Sequence, residues 1–523
     1  MSVSAEEHNW RPKGNPWLIA VVVTLAAFME VLDTTIVNVA LPHIAGSLSV
    51  SYDEATWALT SYLVANSIVL PISAFFGRLL GRKRYFLICI VAFTVCSFLC
   101  GIATNIAQLI IFRVAQGFFG GGLQPNQQAI ILDTFPPAQR GRAFSLTALA
   151  TVVAPVLGPT LGGLITDSVS WRWVFFINVP VGLLATFAVM ALVEDPPWVR
   201  KQSKLSIDYI GIGLIALTFA AFQIMLDRGE DDDWFSSHFI VGAAMLAAVG
   251  AAFTVGWLLY ARKPVVDLRV LKDRNFALGC CAIAVFAMIL YGSAVLIPQL
   301  AQQHLGYTAT LAGYVLSPSA VLVILFIPIV TFLMPHVQTR FLLMAGFVFM
   351  GIGLLYSRNI SPDIDFWHLM LIRCAQAAPL SLLFVPSSVL AYQTISQRMQ
   401  GDAAALFTMF RNVAGSVGIS VSTALITSRA QTHMAYLSGH LSRSDATFRN
   451  GLAQLAAAVR QAGAAAGDAT PVALGKTYQT LIAQASLLSY MDVFLYCAVL
   501  AFAFVPVTLF FSPVKRAGGA GAH

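Results

Sequence analysis

WLIAVVVTLAAFMEVLDTTIVNVAL, from Trp17 to Leu41, reads as one apolar helix interrupted by two acids, Glu30 and Asp33. Its 25 residues, at ~1.5 Å each, are long enough to cross a ~30 Å hydrocarbon core. A carboxylate near the middle of such a helix costs roughly 2.5–3.5 kcal/mol on insertion scales. Two such acids add nothing to stability, so they mark a place where an ion or a substrate moves.

The rest of the chain is built the same way. It has 523 residues, is 58% hydrophobic and is only 11% charged, against roughly 25% charged in a soluble protein. This implies a polytopic membrane protein rather than a soluble domain on an anchor. The seven cysteines all fall in apolar runs and read as buried thiols, not as disulfides or metal ligands. Residues 1–16 carry Glu6 and Glu7 and lead into a span far longer than a signal h-region, so the first helix is expected to be a retained signal-anchor.

Apolar windows recur near 17–41, 56–77, 84–104, 108–132, 141–166, 173–193, 208–226, 237–261, 275–300, 309–333, 340–357, 366–393, 401–427 and 487–512, about fourteen spans in all. Alternate loops are basic: Arg11 and Lys13; Arg78, Arg82, Lys83 and Arg84; Arg140 and Arg142; Arg200, Lys201 and Lys204; Arg262 to Arg274; then Arg340, Arg398, Lys515 and Arg516. By the positive-inside rule both termini are cytoplasmic. The net charge of +7 is then topological and requires no nucleic-acid partner.

Spans 208–226 and 237–261, joined by the acidic turn Asp227–Asp233, read as a hairpin inserted between two six-span halves. This predicts an N-terminal bundle over 1–193, a hairpin with its linkers over 194–274, and a C-terminal bundle over 275–523. Asp231, Asp232 and Asp233 read as a solvated turn. Residues 428–486 form a long polar segment on the non-cytoplasmic side, where Phe448, Leu452, Leu455 and Val459 at helical spacing predict a pair of amphipathic helices. Arg113-Val-Ala-Gln116-Gly117 recurs as Arg373-Cys-Ala-Gln376-Ala377 in the fourth span of each half. Internal repeats of this kind place the substrate site between halves near the midplane.

Several segments together resemble the fourteen-span drug:proton antiporter branch of the major facilitator superfamily, typified by the Emr-type B multidrug efflux pump. They are Leu32–Pro42, Leu109–Gly117, the antiporter-motif stretch Ala154–Gly163, Trp171–Pro180, Pro264–Leu268 and Arg411–Gly418. The resemblance implies an all-α fold of two six-helix bundles plus a central two-helix insertion. It implies a bacterial inner-membrane exporter, not an enzyme, that moves amphipathic drugs, uncouplers or fatty acids by alternating access. The proton gradient would drive it without a cofactor, and a periplasmic adaptor and an outer-membrane channel would be its partners. A dedicated exporter of one endogenous metabolite, toxin or fatty acid is the alternative. One departure stands out: in Ala74–Arg84, Arg78 occupies the place of that superfamily's loop aspartate, so a gate latch using the aspartate is not expected.

On a helix, Glu30, Asp33, Thr34 and Val37 share a face, with Asn38 at its edge. Two desolvated carboxylates at i, i+3 cannot both ionise cheaply, which suits a site that takes up and releases protons. Asp33 lies within the motif and is the candidate proton carrier. Glu30 lies outside it and is a candidate for contact with cationic substrates. Arg113 keeps its charge and needs a partner; pairing with Asp33 in one conformation and parting in another would couple proton and substrate by linkage. Gln116, Gly117, Gly120, Gln124 and Gln127 continue its face, the glycines for packing and the glutamines as candidates for the cavity lining. Arg373 and Arg411 are candidates for the same cavity. In Ala154–Gly163, Pro155 and Pro159 predict a kink, and Gly158, Gly162 and Gly163 predict tight packing across the two halves.

Overall fold

The computed structural model describes residues 12–197, 207–439, 441, 445–461 and 469–512. Glu6, Glu7, Arg11, Arg200, Lys201, Lys204, Lys515 and Arg516, with parts of 428–486, lie outside the described residues. Among the described residues, fourteen helices are long and apolar enough to cross a membrane. They are α1 (Pro16–Leu48), α2 (Tyr52–Leu80), α3 (Arg82–Gly101), α4 (Ile106–Thr134), α5 (Pro137–Ser168), α6 (Trp173–Leu192), α7 (Tyr209–Arg228), α8 (His238–Tyr260), α9 (Arg274–His304), α10 (Thr310–Leu333), α11 (Thr339–Asn359), α12 (Phe366–Tyr392), α13 (Gln400–Ser438) and α15 (Ala469–Phe510). A further helix, α14 (Ala446–Gln461), lies between the last two.

Local chemistry sets the helix ends. The Asn15 side chain accepts from Trp17 N at 2.9 Å and Pro16 takes the first turn of α1, where its missing N–H leaves nothing unpaired. Ser51 and Glu54 form a reciprocal capping box at the start of α2. A π-helical turn, Leu149–Val153, precedes Pro155 in α5, so the disturbance that the prolines predict falls one turn earlier than their own positions.

Helices α1–α6 form one bundle, and α9–α13 with α15 form the other. The hairpin α7–α8 sits on the seam between them. Gln223 of α7 donates to Ser416 Oγ of α13 at 3.3 Å, and Ser420 Oγ of α13 donates to Leu226 O at 2.7 Å. Arg228 pairs with Asp53 of α2 at 2.7 Å. Asp227 and Arg228 therefore belong to α7 itself, and the exposed Asp231 follows in the turn. At the basic end, Asp208 accepts from Trp257 Nε1 (2.9 Å) and Val265 N (3.2 Å), tying the hairpin to the linker before α9.

Two expectations need correcting. Among the described residues, the segment 428–486 contains one separate amphipathic helix rather than two, because α13 runs on to Ser438 and α15 begins at Ala469. Phe448, Leu452, Leu455 and Val459 do form the more buried face of that helix, which packs on α15. The Gly158 and Gly162 face packs within the N-terminal bundle rather than across the halves. A Cβ at Gly158 would lie 2.0 Å from Thr35 Oγ1, and one at Gly162 2.8 Å from Ile36 O, so any side chain there parts α5 from α1. Gly163 is buried on the same helix. Thr160, on another face of α5, makes the contact between halves, donating to Gly313 O of α10 at 2.9 Å.

The two bundles also meet at both ends of the membrane. At the basic end Arg78 of α2 reaches Asp402 of α13, Tyr392 OH donates to Gln128 Oε1 at 2.6 Å, and Ser145 meets Thr331. At the opposite end Thr310 Oγ1 donates to Asp167 Oδ2 at 2.8 Å.

Candidate functional site

Glu30 and Asp33 lie one helical turn apart on α1, yet the fold gives them separate sets of partners. Asp33 is 0% exposed and sits wholly inside the N-terminal bundle. Its Oδ2 accepts from Arg113 Nη1 at 2.6 Å; its Oδ1 accepts from Gln116 Nε2 at 3.0 Å and from Asn178 Nδ2 at 2.7 Å. Arg113, also 0% exposed, donates from Nε to Ala58 O at 3.1 Å and lies 4.0 Å above the Tyr62 ring. A carboxylate with three donors, one of them a cation, is well compensated for burial.

This approach requires a glycine. A Cβ at Gly117 would stand 2.3 Å from Tyr62 O, so only hydrogen lets α4 close on α2 and bring Arg113 over the Tyr62 ring. Asn178 supports the site from α6 and also donates to Ser97 Oγ of α3 at 3.0 Å. Sequence reasoning missed Asn178. Its signal was a lone amide in an otherwise apolar span, which is cheaper to bury than a charge.

Glu30 is 1% exposed and faces a different neighbourhood. Oε1 accepts from Asn66 Nδ2 at 2.9 Å and from Tyr62 OH at 3.3 Å, and Oε2 accepts from Gln124 Nε2. Arg411 of α13, in the other bundle, is within electrostatic reach of Glu30 and of Tyr291 on α9. Arg411 Nη1 donates across the seam to Thr151 Oγ1 at 3.1 Å. Both acids thus take their hydrogen bonds from the N-terminal bundle, and Glu30 in addition lies within electrostatic reach of Arg411 in the other. Tyr62 touches both acids' surroundings, through its hydroxyl to Glu30 and its ring to Arg113.

The remaining candidates divide. Gln116 belongs to the Asp33 cluster and Gln124 to the Glu30 cluster. Gln127 belongs to neither, donating to Thr24 (3.3 Å) and Thr147 (2.9 Å) and so tying α4 to α1 and α5. Asn38 stands exposed, away from the buried acids. Arg373 occupies the corresponding place in the second bundle, donating to Ser293 Oγ at 3.1 Å and Gln376 Oε1 at 3.3 Å.

Arg78, in the last turn of α2, supplies a contact that its place in the sequence did not suggest. Its Nη1 lies 2.6 Å from both oxygens of Asp402, and its Nη2 donates to Val265 O at 3.2 Å. The chain carries no aspartate at this place. Arg78 itself forms an ion pair between the two bundles.

Comparison with known proteins agrees with this architecture. Residues 23–419 match the family model described as Major Facilitator Superfamily. The multidrug export protein EmrB of Escherichia coli K12 is 35% identical over 421 residues, 80% of this chain and 82% of that protein. The fatty acid resistance protein FarB of Neisseria gonorrhoeae is 32% identical over 497 residues, 95% of this chain and 96% of that one. Among solved structures, a bacterial homologue of the human lysosomal transporter Spinster, inward-facing and occupied, superposes with a TM-score of 0.53 at 16% identity. It covers 94% of this chain and 97% of its own, a likeness in fold alone. The chain belongs to the major facilitator superfamily of membrane transporters, in its fourteen-span, EmrB-type branch.

Proposed function

We propose that the protein is a proton-coupled exporter of hydrophobic or amphipathic toxic compounds, working by alternating access in a bacterial inner membrane. The observation that carries this reading is the division of the two acids. Asp33, enclosed with Arg113 in one rigid bundle, is the proton site; Glu30, with Arg411 opposite, is the charged part of the substrate cavity, which Gln124 and Arg373 extend. Ionised Asp33 is held by Arg113, Gln116 and Asn178. Its protonation removes the charge that Arg113 answers, and the loosened guanidinium biases α1 and α4 toward the other conformation. Linkage then requires that whatever favours one conformation opposes proton binding in the other. At ~100 mV each proton contributes about 2.3 kcal/mol, enough for roughly fifty-fold accumulation.

The basic end is assigned to the cytoplasm, with both termini there, and no cofactor beyond the proton gradient is required. A transport panel of cationic, neutral and anionic compounds in proteoliposomes under an imposed pH gradient tests the reading. Export of chemically unrelated compounds supports it. Movement of one compound class alone favours a dedicated exporter of a metabolite, toxin or fatty acid, a reading to which the full-length match to FarB gives weight. No gradient dependence for any compound contradicts both.

A periplasmic adaptor, with an outer-membrane channel beyond it, is the partner we assign to the helical projection of α13, α14 and α15. Deleting 440–475 should abolish adaptor pull-down while expression holds. Unchanged pull-down at normal expression would make that projection a cap on its own helices.

A further inference from the structure

The internal repeat gives each bundle a buried guanidinium, and the two are answered differently. Arg113 faces the Asp33 carboxylate. Among the described residues Arg373, 1% exposed, donates only to the Ser293 hydroxyl on α9 and the Gln376 amide oxygen. The likeness extends outward: Gln116 passes on to Asp33 of α1, while Gln376 Nε2 donates to Ser357 Oγ at the end of α11, 2.7 Å away. Arg82, Arg113 and Arg228 each pair with a carboxylate, whereas among the described residues none pairs with Arg373. Its Nε and Nη2 are buried without a hydrogen-bond partner among the described residues.

A guanidinium cannot shed its charge in a protein, and a buried cation without a counter-charge is strongly unfavourable. The two unpartnered N–H groups form a planar fork suited to a carboxylate or a single anion. The Ser293 hydroxyl now donates to Leu290 O at 3.2 Å, and as a rotor it can turn to donate to an incoming anion. We propose that Arg373 and Ser293 form a binding site for a small monoanion, either a free halide or the carboxylate end of an amphipathic compound, in the place that Asp33 takes beside Arg113. The carboxylate arm rests on the cavity role given to Arg373 above, and the halide arm does not.

The test uses purified full-length protein in detergent, with chloride exchanged against gluconate at constant ionic strength. Wild-type protein should show a saturable rise in melting temperature of about 2 °C or more. Ser293→Asp, which supplies a resident carboxylate, should lose that response, as should Arg373→Gln. The titration is then repeated with octanoate in gluconate. A rise with octanoate that chloride cannot add to assigns both anions to one site; a rise with chloride alone identifies a free halide, and with octanoate alone the end of an amphiphile. No rise with either anion, or a rise undiminished in Ser293→Asp, overturns the proposal. No proton gradient and no exported drug enters the measurement, so it fails or succeeds separately from the transport reading.

Discussion

Asp33→Asn abolishes proton-driven efflux of every compound the protein exports. The amide preserves the shape of the carboxylate and can still accept from Asn178 or Gln116, but it cannot titrate. Arg113 is left buried without its counter-charge, and breaking one partner of such a pair costs about 3–5 kcal/mol. Lost efflux must therefore be separated from lost folding. Exchange of labelled substrate across the membrane without a gradient does this, because exchange needs substrate binding and alternating access but no net proton movement. The expected pattern is retained exchange with no uphill export. Gradient-driven export of any compound at the wild-type rate would remove Asp33 from the coupling role.

Glu30→Gln should act selectively, since Glu30 has its own set of hydrogen-bond partners and Arg411 within electrostatic reach. Export of cationic compounds falls while that of neutral ones continues. Equal loss in both variants would mean that the two acids, one turn apart, titrate as a single coupled site.

The second large effect concerns the ion pair between Arg78 and Asp402 at the basic end. Arg78→Asp and Asp402→Arg should each reduce efflux about tenfold, corresponding to ~1.4 kcal/mol, within the 0.5–3 kcal/mol that couples residues in contact. The double variant Arg78→Asp, Asp402→Arg should restore most of the loss. The geometry supports a substantial term, since one guanidinium nitrogen lies 2.6 Å from both oxygens of an acid whose side chain is 8% exposed. Arg78, at 30% exposed, moderates it through solvent screening. Efflux assays on the two single variants and the double decide the matter. A double variant no better than the worse single one would show that the pair does not act as a latch between the bundles at the basic end.

Much of this was legible in the sequence because the membrane makes mistakes expensive. Fourteen apolar runs had to be helices, and Glu30, Asp33, Arg113, Arg373 and Arg411 stood out as charges that no apolar helix tolerates without a reason. The separation of Glu30 from Asp33 was not legible. Periodicity puts both on one face of α1, and only the arrival of α2, α4, α6 and α13 gives each its own partners. Asn178 was missed because an amide in an apolar span carries a weaker signal than a charge. The Arg78–Asp402 pair joins residues more than 300 positions apart, which spacing within either segment cannot reveal. The GxxxG face was read correctly as a contact surface, but a small-residue stripe does not say which helix it meets, and α1 proved to be the neighbour.

The central claim is that a proton on Asp33 is exchanged for substrate. It is tested most directly by adding an exported compound to purified protein in weakly buffered detergent solution and following the pH. Proton release by wild-type protein, absent in Asp33→Asn although the compound still binds, is the predicted result. Binding without release in wild type, or release that persists in Asp33→Asn, would contradict it.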